Sequence, residues 1–218
     1  MEYEELKSLA SQLRFPQGGS KGIRVSDMMH ESNANMIRKT IESLQIASNE
    51  EVFELGHGNA GHLHYLFEIE KSAMYYGLEI SELMHAEAKQ INKSYVATNQ
   101  AFFFMYDGAE MPFGTDYFDK GFTVNTFYFW NEPVKVLMEI YRVIKPAGIF
   151  AINFAQQKSM ELLPFTKFGF KLYDTKKAEK LVKQTPFEIA DIENHVEELK
   201  TKPGETIQRE FTIIRLKK

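Results

Sequence analysis

The chain contains no cysteine, which excludes a disulfide framework, a thiolate nucleophile and a cysteine-based zinc site. It has no apolar run near the ~20 residues that a membrane-spanning helix needs. Positive charge is also in short supply: 26 Lys and Arg against 30 Asp and Glu leave a formal net charge of −4. That balance argues against a phosphate-binding face, although Lys167, Lys171, Lys176, Lys177 and Lys180 form a local basic group. The opening Met1-Glu-Tyr-Glu-Glu is acidic, unlike a signal peptide. These absences predict a cytoplasmic protein with no membrane span, no nucleic-acid partner and no metal. What remains is one ordinary domain's worth of chain, 218 residues with 44% hydrophobic content, enough to sandwich a sheet between helices.

The densest signal lies at residues 52 to 61, Val-Phe-Glu-Leu-Gly-His-Gly-Asn-Ala-Gly. An apolar, strand-like run carries Glu54 near its end and passes into Gly56, Gly58 and Gly61, which allow a sharp turn and the approach of a ligand to bare main chain. A carboxylate at Glu54 would repel a pyrophosphate on the following helix and would suit a cationic ligand. Residues 62 to 71 read as a helix through Leu63, Leu66 and Phe67, and residues 72 to 80 as a second strand ending in Glu79. The two carboxylates are 25 positions apart, one strand-helix-strand unit, and an acidic residue at the second position can accept both hydroxyls of a ribose. Ser81 follows as a helix N-cap ahead of Met84, Ala88 and Ile91.

A third unit, Phe102 to Phe113, is an apolar strand that breaks at Asp107-Gly108 and is kept out of helix by Pro112. A fourth, from Tyr117, carries Asn125 and Thr126 at its carboxyl end, where open parallel sheets bind ligands. A helix from Val134 to Lys145 stops at Pro146-Ala-Gly148 and feeds the strand 149 to 154. The tail reads as a linker, a helix from Thr175 to Lys183, and strands 187 to 196 and 207 to 216 joined at Pro203-Gly204.

These motifs, in order over residues 50 to 154, resemble the class I S-adenosylmethionine (AdoMet) methyltransferases, in particular the small-molecule, ubiquinone/menaquinone-methyltransferase-like kind. Glu-x-Gly-x-Gly is similar to the family's first motif, Asp107 to Phe113 to its Asp-Ala-x-x-Leu-Pro-Phe element, and Arg142 to Gly148 to its Arg-x-Leu-Lys-Pro-Gly-Gly turn. The resemblance implies an α/β, Rossmann-like, doubly wound seven-stranded sheet, mostly parallel with the last strand antiparallel and helices on both faces. It implies AdoMet as cofactor, S-adenosylhomocysteine as product, and methyl transfer to an O, N or C atom of a small-molecule acceptor by in-line displacement. Cofactor contacts would fall on Glu54, Gly56, Gly58, Asn59 and Gly61, on Glu79, Ile80 and Met84, on Asp107, Gly108 and Ala109, and on Asn125 and Thr126, with Asp107 accepting from the adenine amine. Two departures stand out: Ala60 replaces a third glycine and Ala147 another.

Residues 1 to 48 are expected to form an N-terminal helical cap and 49 to 218 the AdoMet-binding domain. A short polar helix over 2 to 13, a glycine-rich loop over 15 to 22 and a helix from about Asn33 would make the cap. Arg14 to Met29 and Phe165 to Tyr173 are expected to be loop-like lids over the substrate pocket. The partner expected is a methyl acceptor of aromatic or apolar character, with a homodimer compatible with the reading. Tyr128 and His30 are the candidates for handling a proton, Tyr128 because many small-molecule members of the family have histidine there. His57 reads as a tolerated loop residue. His62 and His64, two apart, do not face each other on a helix and make a poor metal pair. Two other functions remain open: an NAD-type dehydrogenase, given Gly56-x-Gly58-x-x-Gly61 and Glu79, and a non-catalytic AdoMet-binding regulator.

Overall fold

The structure, a computed structural model, describes residues 2–202 and 205–218. The expected turn at Pro203-Gly204 lies outside them. Eight helices, α1 (Tyr3–Arg14), α2 (Ser20–Leu44), α3 (Leu63–Ile69), α4 (Glu82–Ile91), α5 (Lys93–Ala97), α6 (Pro133–Val143), α7 (Gln157–Met160) and α8 (Thr175–Val182), surround the strands among the described residues. These strands are β1 (Glu51–Leu55), β2 (Met74–Glu79), β3 (Ala101–Met105), β4 (Phe118–Val124), β5 (Ile144–Ala155), β6 (Glu188–Lys202) and β7 (Glu205–Lys217). They form one sheet in the order β3-β2-β1-β4-β5-β7-β6. β1 to β5 run parallel, and β7 is antiparallel to both β5 and β6. The seven-stranded, mostly parallel sheet expected from the sequence is therefore present. Strand order reverses between β1 and β4, so a crevice opens beyond the carboxyl ends of those two strands, the usual ligand position in doubly wound sheets.

Strands covered on both faces must be apolar on both. Phe53, Phe118, Phe150 and Ile152 face one core with Leu137, Ile140 and Val143 of α6. Val52, Phe122, Ala151 and Ile213 face the other with Met36, Ile37, Ile41 and Leu44 of α2. Gly121 exists for this packing: a Cβ there would stand 2.1 Å from the Phe53 ring.

The structure departs from the sequence reading at the N-terminal segment. α2 is one helix of 25 residues starting at Ser20, not near Asn33, so residues 20 to 29 are not a loop. Gly22, read as a breaker, is buried inside the helix, and a Cβ would meet Gln17 O and Leu83 Cδ2 at 2.6 Å. Close packing on α4 outweighs the cost of a helical glycine, about 1 kcal/mol. The 165 to 173 segment is also packed. Phe168 meets Tyr3 edge-on at 5.0 Å, and Tyr173 stacks on Phe127 at 4.1 Å. Ala60 and Ala147 both adopt the left-handed conformation, φ 49° and 65°, so the turns survive without their glycines. Ser81 does cap α4, its hydroxyl accepting from Met84 N at 3.3 Å and donating to Pro16 O at 2.6 Å.

Candidate active site

A cleft of about 670 Å³ opens at the carboxyl ends of β1, β2 and β4, closed on one side by α2 and on another by residues 129 to 136. The expected positions Glu54, Gly56, Gly58, Asn59, Glu79, Ile80, Met84, Asp107, Gly108, Ala109, Asn125 and Thr126 all line it, as does His30. Gly61 and Tyr128 do not. Gly61 lies behind the wall, donating its N–H to Asn59 Oδ1 at 3.1 Å and leaving room for the His30 ring.

Gly56 and Gly58 are left-handed, φ 75° and 57°. Nothing stands within 4 Å of where a Gly58 Cβ would sit, so bare main chain faces the cleft. Glu79 fixes this turn from the end of β2. Its Oε2 accepts from Gly58 N at 2.9 Å, and Oε1 accepts from Ile80 N at 2.8 Å and Ser81 N at 3.0 Å. Burial pushes its carboxyl above the ordinary value, against the pull of those three amides. A carboxylate offers about four lone-pair positions. Oε1 is full, and Oε2 keeps one, which leaves room for one strong ribose contact where the sequence suggested two.

One oxygen of Glu54 is already committed. Its Oε2 accepts from Tyr75 OH at 2.5 Å and pairs with His62 Nε2 at 2.8 Å, all of it buried. Burial alone would raise its pKa; the charge and hydrogen bond of His62, with the Tyr75 hydroxyl, hold it below the ordinary value. Both contacts fall on Oε2; Oε1 accepts no protein hydrogen bond among the described residues, so an ammonium in the cleft would find one carboxylate oxygen open. His57, expected to be a loop residue of no consequence, is buried on the cleft wall. Its Nδ1 lies 2.7 Å from Gly58 O, and Nε2 has no protein partner. Burial pushes its pKa down to about 4. Among the described residues, no group of three or more His, Cys, Asp or Glu is placed to hold a metal.

Asp107 caps its own turn, Oδ1 accepting from Ala109 N at 2.8 Å and Glu110 N at 3.2 Å. These amides hold its carboxyl below the ordinary value. On the opposite wall α2 presents Ser26, Met29, His30, Asn33 and Ile37, a stripe at helical spacing. The sequence reading puts Ser26 and Met29 over the pocket as a loop and names His30, but does not expect Asn33 and Ile37 on the cleft wall. His30 makes no protein hydrogen bond among the described residues; burial first, then the neighbouring His62 and His64, lower its pKa from 6.5.

Tyr128 is 2% exposed and part of the core. Its hydroxyl lies 2.9 Å from Asn125 Oδ1 and 3.1 Å from Ala155 O, and accepts from Ala155 N at 2.5 Å. Burial pushes that hydroxyl's pKa well above the usual range. The structure thus gives Tyr128 a bracing role between the β4 and β5 ends, and no path to a substrate proton. Tyr128→Phe should lower stability by about 1–3 kcal/mol, the cost of leaving a buried donor unsatisfied, measured by urea unfolding. A variant with parental stability and abolished turnover would restore the proton-handling role.

A doubly wound sheet with a glycine turn after β1 and a carboxylate closing β2 is the architecture on which many α/β proteins hold a nucleoside. Residues 53–152 match the methyltransferase domain family. The Bacillus subtilis (strain 168) methyltransferase YdaC, itself uncharacterized, is 27% identical over 127 residues, 58% of this chain and 67% of that protein. Among solved structures, a chain from the complex of the Haloferax volcanii Trm112 methyltransferase activator with a methyltransferase superposes at TM-score 0.72 with 15% identity, covering 96% of this chain and 97% of that one. A geranyl diphosphate methyltransferase solved with GPP and sinefungin superposes at TM-score 0.69 with 8% identity, covering 86% and 78%. The family match covers residues 53–152, and the solved structures share the fold of the whole sheet.

Proposed function

We propose that the cleft binds AdoMet along the Gly56–Gly58 turn and the Glu79 carboxylate, and that the protein transfers its methyl group to a small-molecule acceptor. The observation carrying this is the buried Glu79 carboxylate, locked to Gly58 N yet keeping one acceptor position beside open main chain. Gly108, left-handed and equally open, gives a second bare stretch where an adenine could lie, with Asp107 and Ala109 beside it. The residues present therefore fit the cofactor, with Glu54 Oε2 holding His62 and Tyr75 and Oε1 left for it. When bound, AdoMet supplies an activated methyl group on sulfur. The protein's work is to hold acceptor, methyl carbon and sulfur in line and away from water. A cleft of about 670 Å³ is the size that usually holds one drug-sized ligand, which supports an acceptor whose reacting group is small. Among the described residues no helix is long and apolar enough to cross a membrane.

Titration calorimetry tests the cofactor assignment. S-adenosylhomocysteine should bind with measurable heat and NAD should not. Binding of NAD with no heat from S-adenosylhomocysteine would overturn it.

A further inference from the structure

The orientation of one side-chain amide on the cleft wall is settled by its neighbours. Ala155 N is a donor only, and it lies 3.3 Å from Asn125 Oδ1, so the Asn125 carbonyl faces β5 and its Nδ2 faces the other way. Asn125 Nδ2 then donates to Asn33 Oδ1 at 2.9 Å. Arg209 of β7, which can only donate, also turns Nη1 toward Asn33 Oδ1 at 3.4 Å, while its Nη2 donates to Ser32 O at 2.6 Å and its Nε to Glu197 Oε1 at 2.7 Å. With the Ser32 hydroxyl also donating at 3.4 Å, three donors on Oδ1 leave Asn33 Nδ2 as the free end of that amide, on the cleft wall and with no protein acceptor among the described residues. One helical turn earlier on the same face stands His30, whose ring nitrogens are likewise without protein partners. Met29 lines the same wall, and Phe129 and Trp130 line another side of the cleft.

Resting on the methyltransferase reading above, we propose that the acceptor is a small aromatic or enolic hydroxyl compound methylated on oxygen, with His30 taking the hydroxyl proton and Asn33 Nδ2 donating to the same oxygen. The pair offers one acceptor and one donor, which a hydroxyl matches. Its oxygen gives its proton to His30, accepts from Asn33 on one lone pair and attacks with the other. An amine nitrogen has a single lone pair, which the Asn33 donor would occupy. In the step, the O–H proton moves to a His30 nitrogen, the O–CH₃ bond forms, and the S–CH₃ electron pair stays on sulfur to leave a thioether. His30 is faced by His62, His64, Asp27 and Glu31, and the balance keeps it neutral and able to accept at neutral pH. Arg209 touches no substrate; it is a positioning residue acting through Asn33.

Phenol, catechol, aniline and thiophenol, offered with AdoMet, separate the classes, with product mass spectrometry as readout and S-adenosylhomocysteine calorimetry run alongside. O-methylated product from the hydroxyl compounds is expected. His30→Gln should lower kcat by about 100-fold or more and abolish the acid limb of the pH profile, which in the parent lies below pH 6.5. Asn33→Asp keeps the acceptor for the three Oδ1 contacts but loses the free donor; it should lower kcat at least tenfold and leave S-adenosylhomocysteine affinity unchanged. Preferred methylation of aniline or thiophenol, or full activity in both variants, overturns the proposal. S-adenosylhomocysteine binding with no methylation of any of the four also overturns it while the cofactor assignment stands. Absence of S-adenosylhomocysteine binding defeats the methyltransferase reading itself.

Discussion

Glu79→Ala should weaken S-adenosylhomocysteine binding by about 10- to 100-fold and lower the melting temperature in the same variant. The affinity loss follows from one charge-assisted hydrogen bond, roughly 1.5–3 kcal/mol, at about 1.4 kcal/mol per tenfold. The stability loss follows from the three backbone donors, Gly58 N, Ile80 N and Ser81 N, that the carboxylate now satisfies. Two of them open the helix that follows β2, and the third pins the glycine turn across the strand gap. Removing the side chain thus frees the turn as well as the ligand's anchor, which no truncation of the solvent-exposed Asp107 would do. Asp107→Ala should cost less affinity and leave stability close to parental. Calorimetry and a thermal melt on both variants decide the matter; a Glu79→Ala protein that binds S-adenosylhomocysteine like the parent would remove Glu79 from the cofactor site.

How much of this site was legible in the sequence depends on how local each signal is. The Glu54, Glu79 and Asp107 spacing reports strand, turn and strand ends, each written within about ten residues. Every one of these side chains reached the cleft wall. What each carboxylate bonds is not local. Glu54 meets Tyr75, 21 positions on, and that contact depends on β1 pairing in register with β2. The start of α2 was hidden for a different reason. Gly18, Gly19 and Gly22 have the composition of a loop, and only the contact of Gly22 with Gln17 and Leu83 shows why a helix wants a glycine there. Tyr128 is expected to handle a proton only because many small-molecule members of the resembled family have histidine there, a ground that carries no information about where its ring points. The short helical turn over Phe127–Phe129 points its ring inward, and Phe129 and Trp130 meet the cleft. The Asn33 amide was beyond reach of any sequence pattern, since Asn125 and Arg209 that orient it stand 92 and 176 positions away.

The buried histidines should make this protein sensitive to acid well above the carboxylate range. His57 has its pKa pushed from 6.5 to about 4 by burial, so between those values the unfolded chain binds a proton that the folded chain refuses. The sign follows directly: more protons on the unfolded state means stability rises with pH, is fully present above 6.5, and is lost as pH falls toward 4. Over that window a single such histidine can remove roughly 3 kcal/mol, at 1.36 kcal/mol per unit. His30 and His85 are also lowered by burial and add in the same direction. Glu54, held below 4.5 by His62 and Tyr75, adds its own loss only below 4.5, as it is protonated through its folded value. Urea unfolding at pH 7, 6 and 5 should therefore show a falling midpoint before most carboxylates titrate. His57→Leu removes the orphaned Nε2 at the expense of the Gly58 O contact, so its stability at pH 7 is a balance, but its slope between pH 6.5 and 5 should be shallower by close to one proton. An unchanged slope in that variant would mean that His57 takes up its proton while folded, and that the Nε2 facing the inside of the cleft wall has found a partner there.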